Sequence, residues 1–170
     1  HFRRMAPSFK VIGNVAALVG HGTVRIAVMG FENREPSSAE LARMQQLVKE
    51  SLAEGAFGLS SGLIYPPGVV SHTEEMIELC RPVAAAGGLY ATHMRNEGTW
   101  LVESVEETIR VGRETGVSVE ISHHKAAGQS NWGKVKRSLD RMLEASAQGM
   151  SIHCDVYPYI ASSTVLGAVL

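Results

Sequence analysis

At 170 residues, with 45% hydrophobic and 19% charged residues, the chain has the size and composition of one ordinary globular domain with a real core. A formal net charge of −1, with no run of five or more Lys or Arg, excludes an electrostatic case for nucleic acid or an anionic membrane and favours a small-molecule partner. Two cysteines, Cys80 and Cys154, lie far apart and outside any CxxC pair, which excludes a disulfide framework and points to a reducing, cytoplasmic compartment.

In chain order, "NVAALVGHG" reads as a first strand. "SSAELARMQQLVKESLAEG" is a helix with both ends marked. Ser37 and Glu40 form a capping box, Leu41, Met44, Val48 and Leu52 recur at helical spacing, and Gly55 supplies the left-handed stop. The strand in "AFGLSSGLIYPPG" closes on Gly and a Pro pair. "SHTEEMIELCRPVAAAGG" repeats the helix pattern with Ser71 and Glu74 as its box, and Cys80 on its apolar face. Then come the strand "LYATH", a helix through "WLVESVEETIRVGRETG", the strand "VSVEISHH", a helix through "KVKRSLDRMLEASAQG" and a last strand in "MSIHCDVYPY".

That makes five strands and four helices in strict alternation. Leu59, Tyr90, Ile121 and Cys154, one in each of the last four strands, are 31, 31 and 33 residues apart, the length of a βα unit. Alternation of this kind implies a parallel sheet covered by helices, either an open doubly wound sheet or a (β/α)8 barrel. No GxGxxG or GxxxxGK[ST] motif supplies a nucleotide-binding reason for the open sheet. A closed barrel needs eight strands and ~250 residues, so the fold class is α/β, a partial (β/α)8 TIM barrel. No stretch reaches the ~20 apolar residues of a membrane span. "HFRRMAPSF" lacks the apolar run of a signal peptide, and a start on His1 with a finish on "STVLGAVL" suggests a chain cut at both ends.

Ligands of parallel α/β folds collect at the carboxyl ends of the strands. His93 ends "LYATH", and His123 and His124 end "VEISHH". Two neighbouring strands that each offer an imidazole at the same end suit a metal centre, whose ligands must converge within ~2.1 Å of one ion. Alternation leaves open which of His123 and His124 points inward. Glu120 is the odd residue of its strand and must face a polar interior or find a partner. His21, between two glycines, reads as a loop residue more than a ligand, and Asp155 as a buried, hydrogen-bonded carboxylate. Lys125, beside the paired histidines, suits an anionic group. Arg95 and Glu97 pair with one another or cap the helix that follows.

"GAFGLSSGLIYPPG", "YATHMRNEG", "ISHHKAAG", "NWGKV" and "DVYPYIASST", in this order, resemble the middle of the N-acyl-D-amino-acid deacylase (D-aminoacylase) family of the amidohydrolase superfamily, from about Gly20 to Thr164. The resemblance implies that residues 1–170 are a fragment of a metal-dependent amidohydrolase barrel domain, covering about its third to seventh strands. It implies zinc, one ion or two, a zinc-activated water, and hydrolysis of the amide of a small N-acyl-D-amino acid. It places metal ligands at His93 and His123 and substrate contacts at Lys125, Tyr157 and Ser163. The family's HxH pair, its cysteine ligand and its aspartate base have no counterpart here, so no catalytic residue falls within the chain and the chain alone is expected to be inactive. Open strand edges would favour self-association. Two alternatives stand beside this: another amidohydrolase subfamily, dihydroorotase-like or N-acyl-D-glutamate-specific, and a non-catalytic structural fragment.

Overall fold

A computed structural model describes residues 13–164; the opening "HFRRMAPSF" and the apolar finish after Thr164 lie outside the described residues. Five strands, β1 (Val19–Gly20), β2 (Gly58–Gly62), β3 (Leu89–His93), β4 (Ser118–Ile121) and β5 (Ile152–Cys154), form one sheet in the order β1-β2-β3-β4-β5. Every pairing is parallel. This sequential order decides between the two architectures left open by the sequence, because a doubly wound sheet reverses its strand order at a switch point and this one never does.

The helices are α1 (His21–Met29), α2 (Ser38–Ala53), α3 (Thr73–Ala85), α4 (Leu101–Thr115) and α5 (Lys134–Ala147). Each packs on the next, so all lie along one face of the sheet. The register sets Leu59, Tyr90, Val119 and Ile152 side by side on that face. There they meet Met44, Val48, Met76, Leu79, Val83, Val105 and Ile109, all buried. Burial of each large apolar side chain contributes about 1.5–3 kcal/mol. The other face carries Ser60, Leu89, Ala91, His93, Ser118, Glu120 and His153, a more polar set than the helix-facing one. Glu120 lies in register with His153, and burial together with the nearby Asp155 raises its carboxyl above the usual range.

Three local expectations need correction. Among the described residues there are five α-helices, not four: α1 starts at His21 itself, with no loop between it and β1. Gly22 and the β-branched Thr23, Val24, Ile26 and Val28 give this segment weak helix propensity, and it is buried Val24 and Met29 that hold it. The Ser37–Glu40 capping box of α2 is present as expected, but Ser71 caps nothing. Its hydroxyl donates to the Gly68 carbonyl at 2.6 Å, and α3 begins after His72 without a side-chain cap. The last strand stops at Cys154, so Tyr157 and Tyr159 belong to the segment beyond it.

At Gly58 of β2 there is no room for a side chain, because an added Cβ would lie 1.9 Å from the Leu89 carbonyl oxygen of β3. Gly58→Ala is therefore expected to lower stability by about 1–3 kcal/mol or more. Gly133→Ala, in open space with φ −63°, should change it by less than about 0.5 kcal/mol. Urea unfolding of the two variants checks the pair.

Candidate metal and substrate site

His93 is the last residue of β3, on the interior face with Leu89 and Ala91. The corresponding position on β4 is reached differently. His123 shares the parity of Val119 and Ile121, which face the helices, so simple alternation would bury it outward. It is instead in the left-handed region, φ 43°, unlike every other non-glycine among the described residues. That turn brings its imidazole inward and sends His124 outward, where His124 is buried with Nε2 2.9 Å from the Ser138 hydroxyl. Burial lowers the pKa of His124 and keeps it neutral. The choice between the two histidines is therefore made by one backbone torsion.

Asp155 is central to that torsion. Its carboxylate accepts the backbone N–H of His123, and its carbonyl accepts that of His124 at 2.9 Å. It is an exposed side chain just past β5, not the buried mid-strand carboxylate expected from sequence.

The two imidazoles meet, with His93 Nδ1 2.7 Å from His123 Nε2 and ring centroids 4.4 Å apart. Tyr65 packs on His93 with its centroid at 4.9 Å. They line a cavity of about 500 Å³ whose wall also includes Lys125, Tyr157, Tyr159 and Ser163. All five residues singled out from sequence thus come together in one cavity. Ser61, at the end of β2, does not join them: its hydroxyl bonds Tyr90 and Thr92 in the helix-facing layer.

Glu97 was missed. Arg95 does not pair with it but with Glu107, while also donating to the Val69 and Ser71 carbonyls. Glu97 turns back into the cavity, its side chain 10% exposed, with Oε2 2.6 Å from Lys125 Nζ and Oε1 2.8 Å from His123 Nδ1. The carboxylate stands four residues past a strand-end histidine, but only its position opposite His123 gives it meaning, and that contact spans 26 residues of sequence.

His93, Glu97 and His123 present ligand atoms within 4.8 Å of one another, the one such group of three among the described residues. Burial lowers the pKa of His93, helped by His123 and Lys125 and opposed by Glu97, so it is neutral and has a lone pair to give at neutral pH. Glu97 Oε1 is buried and, despite its nearness to His123, makes no hydrogen bond. Two imidazoles with facing nitrogens, beside a buried carboxylate, are donors of the kind that fit a zinc ion.

His21, weighed as a ligand, is elsewhere and wholly buried. Its Nε2 lies 2.7 Å from Glu75, which also takes Arg25, so the three tie α1 to α3.

No family model matches the chain. It is 48% identical over 153 residues to a D-aminoacylase of Alcaligenes xylosoxydans xylosoxydans, and 44% identical over 154 residues to an N-acyl-D-aspartate deacylase of the same organism. Each alignment covers 90% of the chain and 31% of the relative, so the chain spans about a third of the length of the proteins it matches. An N-acyl-D-glutamate deacylase from Bordetella bronchiseptica, solved with zinc and a phosphonate mimic of the tetrahedral intermediate, superposes with a TM-score of 0.89. It is 36% identical and matches 93% of the chain and 33% of its own. An L-hydantoinase from Arthrobacter aurescens, 15% identical with a TM-score of 0.51 over 71% of the chain and 30% of its own, shares the fold alone.

A sequentially ordered parallel sheet with facing imidazoles at its carboxyl edge is the barrel architecture of the metal-dependent amidohydrolases. Within that class the chain is similar, over the segment it spans, to the N-acyl-D-amino-acid deacylases.

Glu75→Ala would leave the buried Arg25 without its countercharge and is expected to cost about 3–5 kcal/mol, read by urea unfolding. Burial acts to raise the Glu75 pKa, but His21 and Arg25 outweigh it and hold the carboxyl below the usual range. Its stabilisation is therefore complete above about pH 4.3, the unfolded value, and fades as pH falls through the lower folded value. Repeating the unfolding across pH 2–5 should give an acid-induced loss that the variant largely lacks.

Proposed function

We propose that the chain is part of one amidohydrolase barrel domain, in a zinc-dependent hydrolase that deacylates N-acyl-D-amino acids. The observation that carries this reading is the pair of imidazole nitrogens 2.7 Å apart at one end of a cavity of about 500 Å³. The 48% identity to a D-aminoacylase supplies the substrate class.

In this reading His93 and His123 are metal ligands, and a zinc ion held by them would polarise the amide carbonyl and bring a water's pKa toward ~7. Lys125 and Tyr157 hold the substrate carboxylate, with the lysine 5.5 Å from the tyrosine ring centre. Ser163 adds a hydroxyl to the same lining, and Tyr65 and Tyr159 offer apolar surface to the acyl group or side chain. Lys125 is the single Lys or Arg in the described lining, and Glu97 already offsets its charge. Both cysteines are free, in keeping with a reducing cytoplasmic setting. No described helix is long and apolar enough to cross a membrane.

Among the described residues β1 and β5 each pair on one side only. Those edges are where further barrel strands, or a second copy of the chain, would pair; a monomer in sedimentation would count against the second copy.

Zinc titrated into the chain against a chromogenic chelator should bind weakly, because two imidazoles are fewer than the three protein ligands of a catalytic site. The binding should vanish in both His93→Ala and His123→Ala. Equal zinc in wild type and variants would sink the metal assignment. The chain alone should deacylate N-acetyl-D-leucine no faster than background; measurable turnover would mean that the residues described here suffice for the chemistry.

A further inference from the structure

The two ring nitrogens of His123 have different neighbours, and a neutral imidazole has one proton to place between them. Nε2 faces His93 Nδ1 at 2.7 Å, while Nδ1 lies 2.8 Å from Glu97 Oε1 and 2.9 Å from Lys125 Nζ. With the proton on Nε2, Nδ1 must accept from Lys125, and Glu97 Oε1 keeps no hydrogen bond although it is buried. With the proton on Nδ1, Glu97 Oε1 gains a donor through a small rotation of the ring. Lys125 still donates to Glu97 Oε2 at 2.6 Å and to the His123 carbonyl at 2.8 Å. His123 Nε2 is then a bare lone pair directed at His93. The second arrangement gives Glu97 Oε1 a partner and gives up the contact between Lys125 Nζ and His123 Nδ1, and a buried acceptor left unpaired is the costlier defect.

Both partners are fixed by their own backbones. Glu97 is held by Ala127, whose N–H donates to the Glu97 carbonyl at 2.7 Å, and by Asn96, whose side chain accepts from Gly98 and Trp100. His123 is held by Asp155.

We propose that Glu97 is a positioning residue. It accepts the Nδ1 proton of His123 and so sets the tautomer whose Nε2 lone pair points toward His93. Lys125, 2.9 Å from His123 Nδ1, offsets the charge of Glu97 while directing its hydrogens to Glu97 Oε2 and the His123 carbonyl. What the tautomer is for rests on the metal reading above; whether it exists does not. Outer partners of this kind typically set ligand orientation and are worth 10–100-fold in metal affinity.

Long-range ¹H–¹⁵N correlation spectra of the full chain, labelled at histidine and recorded near pH 9 without metal, read the tautomer directly. His123→Ala assigns the ring. The expected result is His123 protonated on Nδ1 in wild type and in Lys125→Met, shifted toward Nε2 in Glu97→Ala, and partly restored in Glu97→Gln, whose amide oxygen can still accept. Nε2 protonation in wild type or in Lys125→Met would overturn the assignment, even if Glu97→Ala fails to fold. Zinc titration then separates the two readings. Glu97→Ala should weaken zinc binding ~10–100-fold; a loss as complete as that of His93→Ala would make Glu97 a ligand and reject the positioning role. An Nδ1 proton in a chain that binds no zinc would leave Glu97 where it is placed here and remove the metal centre instead.

Discussion

The site depends on a carboxylate from one strand end holding the backbone of another. At His123 the chain enters the left-handed region, which costs a non-glycine residue about 1–3 kcal/mol. The hydrogen bond from its N–H to the Asp155 carboxylate contributes about the same, since bonds to charged groups are worth about 1.5–3 kcal/mol. Strain and bond roughly cancel, so the conformation is set by geometry at little net cost. Its effect is to exchange the directions of two adjacent histidines. One enters the cavity beside His93 and the other is buried against Ser138. Because Asp155 also receives the next N–H on its carbonyl and donates its own N–H to Ile121, the β4–β5 junction and the site are one object.

Electrostatics at the cavity wall follow from that placement. Once His123 is turned inward its Nδ1 falls beside Glu97, and Lys125, two residues on, reaches the other carboxylate oxygen. A lysine beside two imidazoles would by itself disfavour a cation in the cavity. Glu97 offsets that charge and makes the wall locally neutral. Burial keeps His93 and His124 unprotonated, which is the form a ligand or a hydrogen-bond acceptor requires.

Much of this was legible from the sequence. The repeat of Leu59, Tyr90, Ile121 and Cys154 announced parallel βα units, and Ser37 with Glu40 marked the start of α2. Histidines at two strand ends pointed to one candidate region, and the resemblance carried by the five motifs added Lys125, Tyr157 and Ser163, all of which line the same cavity. What escaped shares a cause: each case depends on a partner remote in sequence or on a torsion that alternation ignores. Period-two reasoning assumes extended backbone and cannot choose between His123 and His124 when one of them is left-handed. Glu97 looks like a loop charge until residue 123 is placed beside it. Ser71 matches a capping box by spacing, yet its hydroxyl is taken by the Gly68 carbonyl. The segment of α1 has a poor helical composition, and the helix exists because Val24 and Met29 are buried by the rest of the fold.

The motif "HMRNE" gains a physical explanation from the same contacts. Five consecutive residues meet five different demands. His93 faces the cavity and Met94 is fully buried in the core. Arg95 turns outward to join Glu107 of α4 to the Val69 and Ser71 carbonyls of the loop after β2. Asn96 accepts the N–H groups of Gly98 and Trp100 and so stops the loop from drifting before α4 begins. Glu97, at the end of this anchored stretch, is delivered back to His123 and Lys125. Substituting Lys for Arg95 would keep the charge but lose the planar fork that reaches a carboxylate and two carbonyls together. Each residue is thus restricted by a different neighbour, so the five cannot be exchanged for a generic polar loop. That is why so short a string is informative about both the fold around it and the chemistry in front of it.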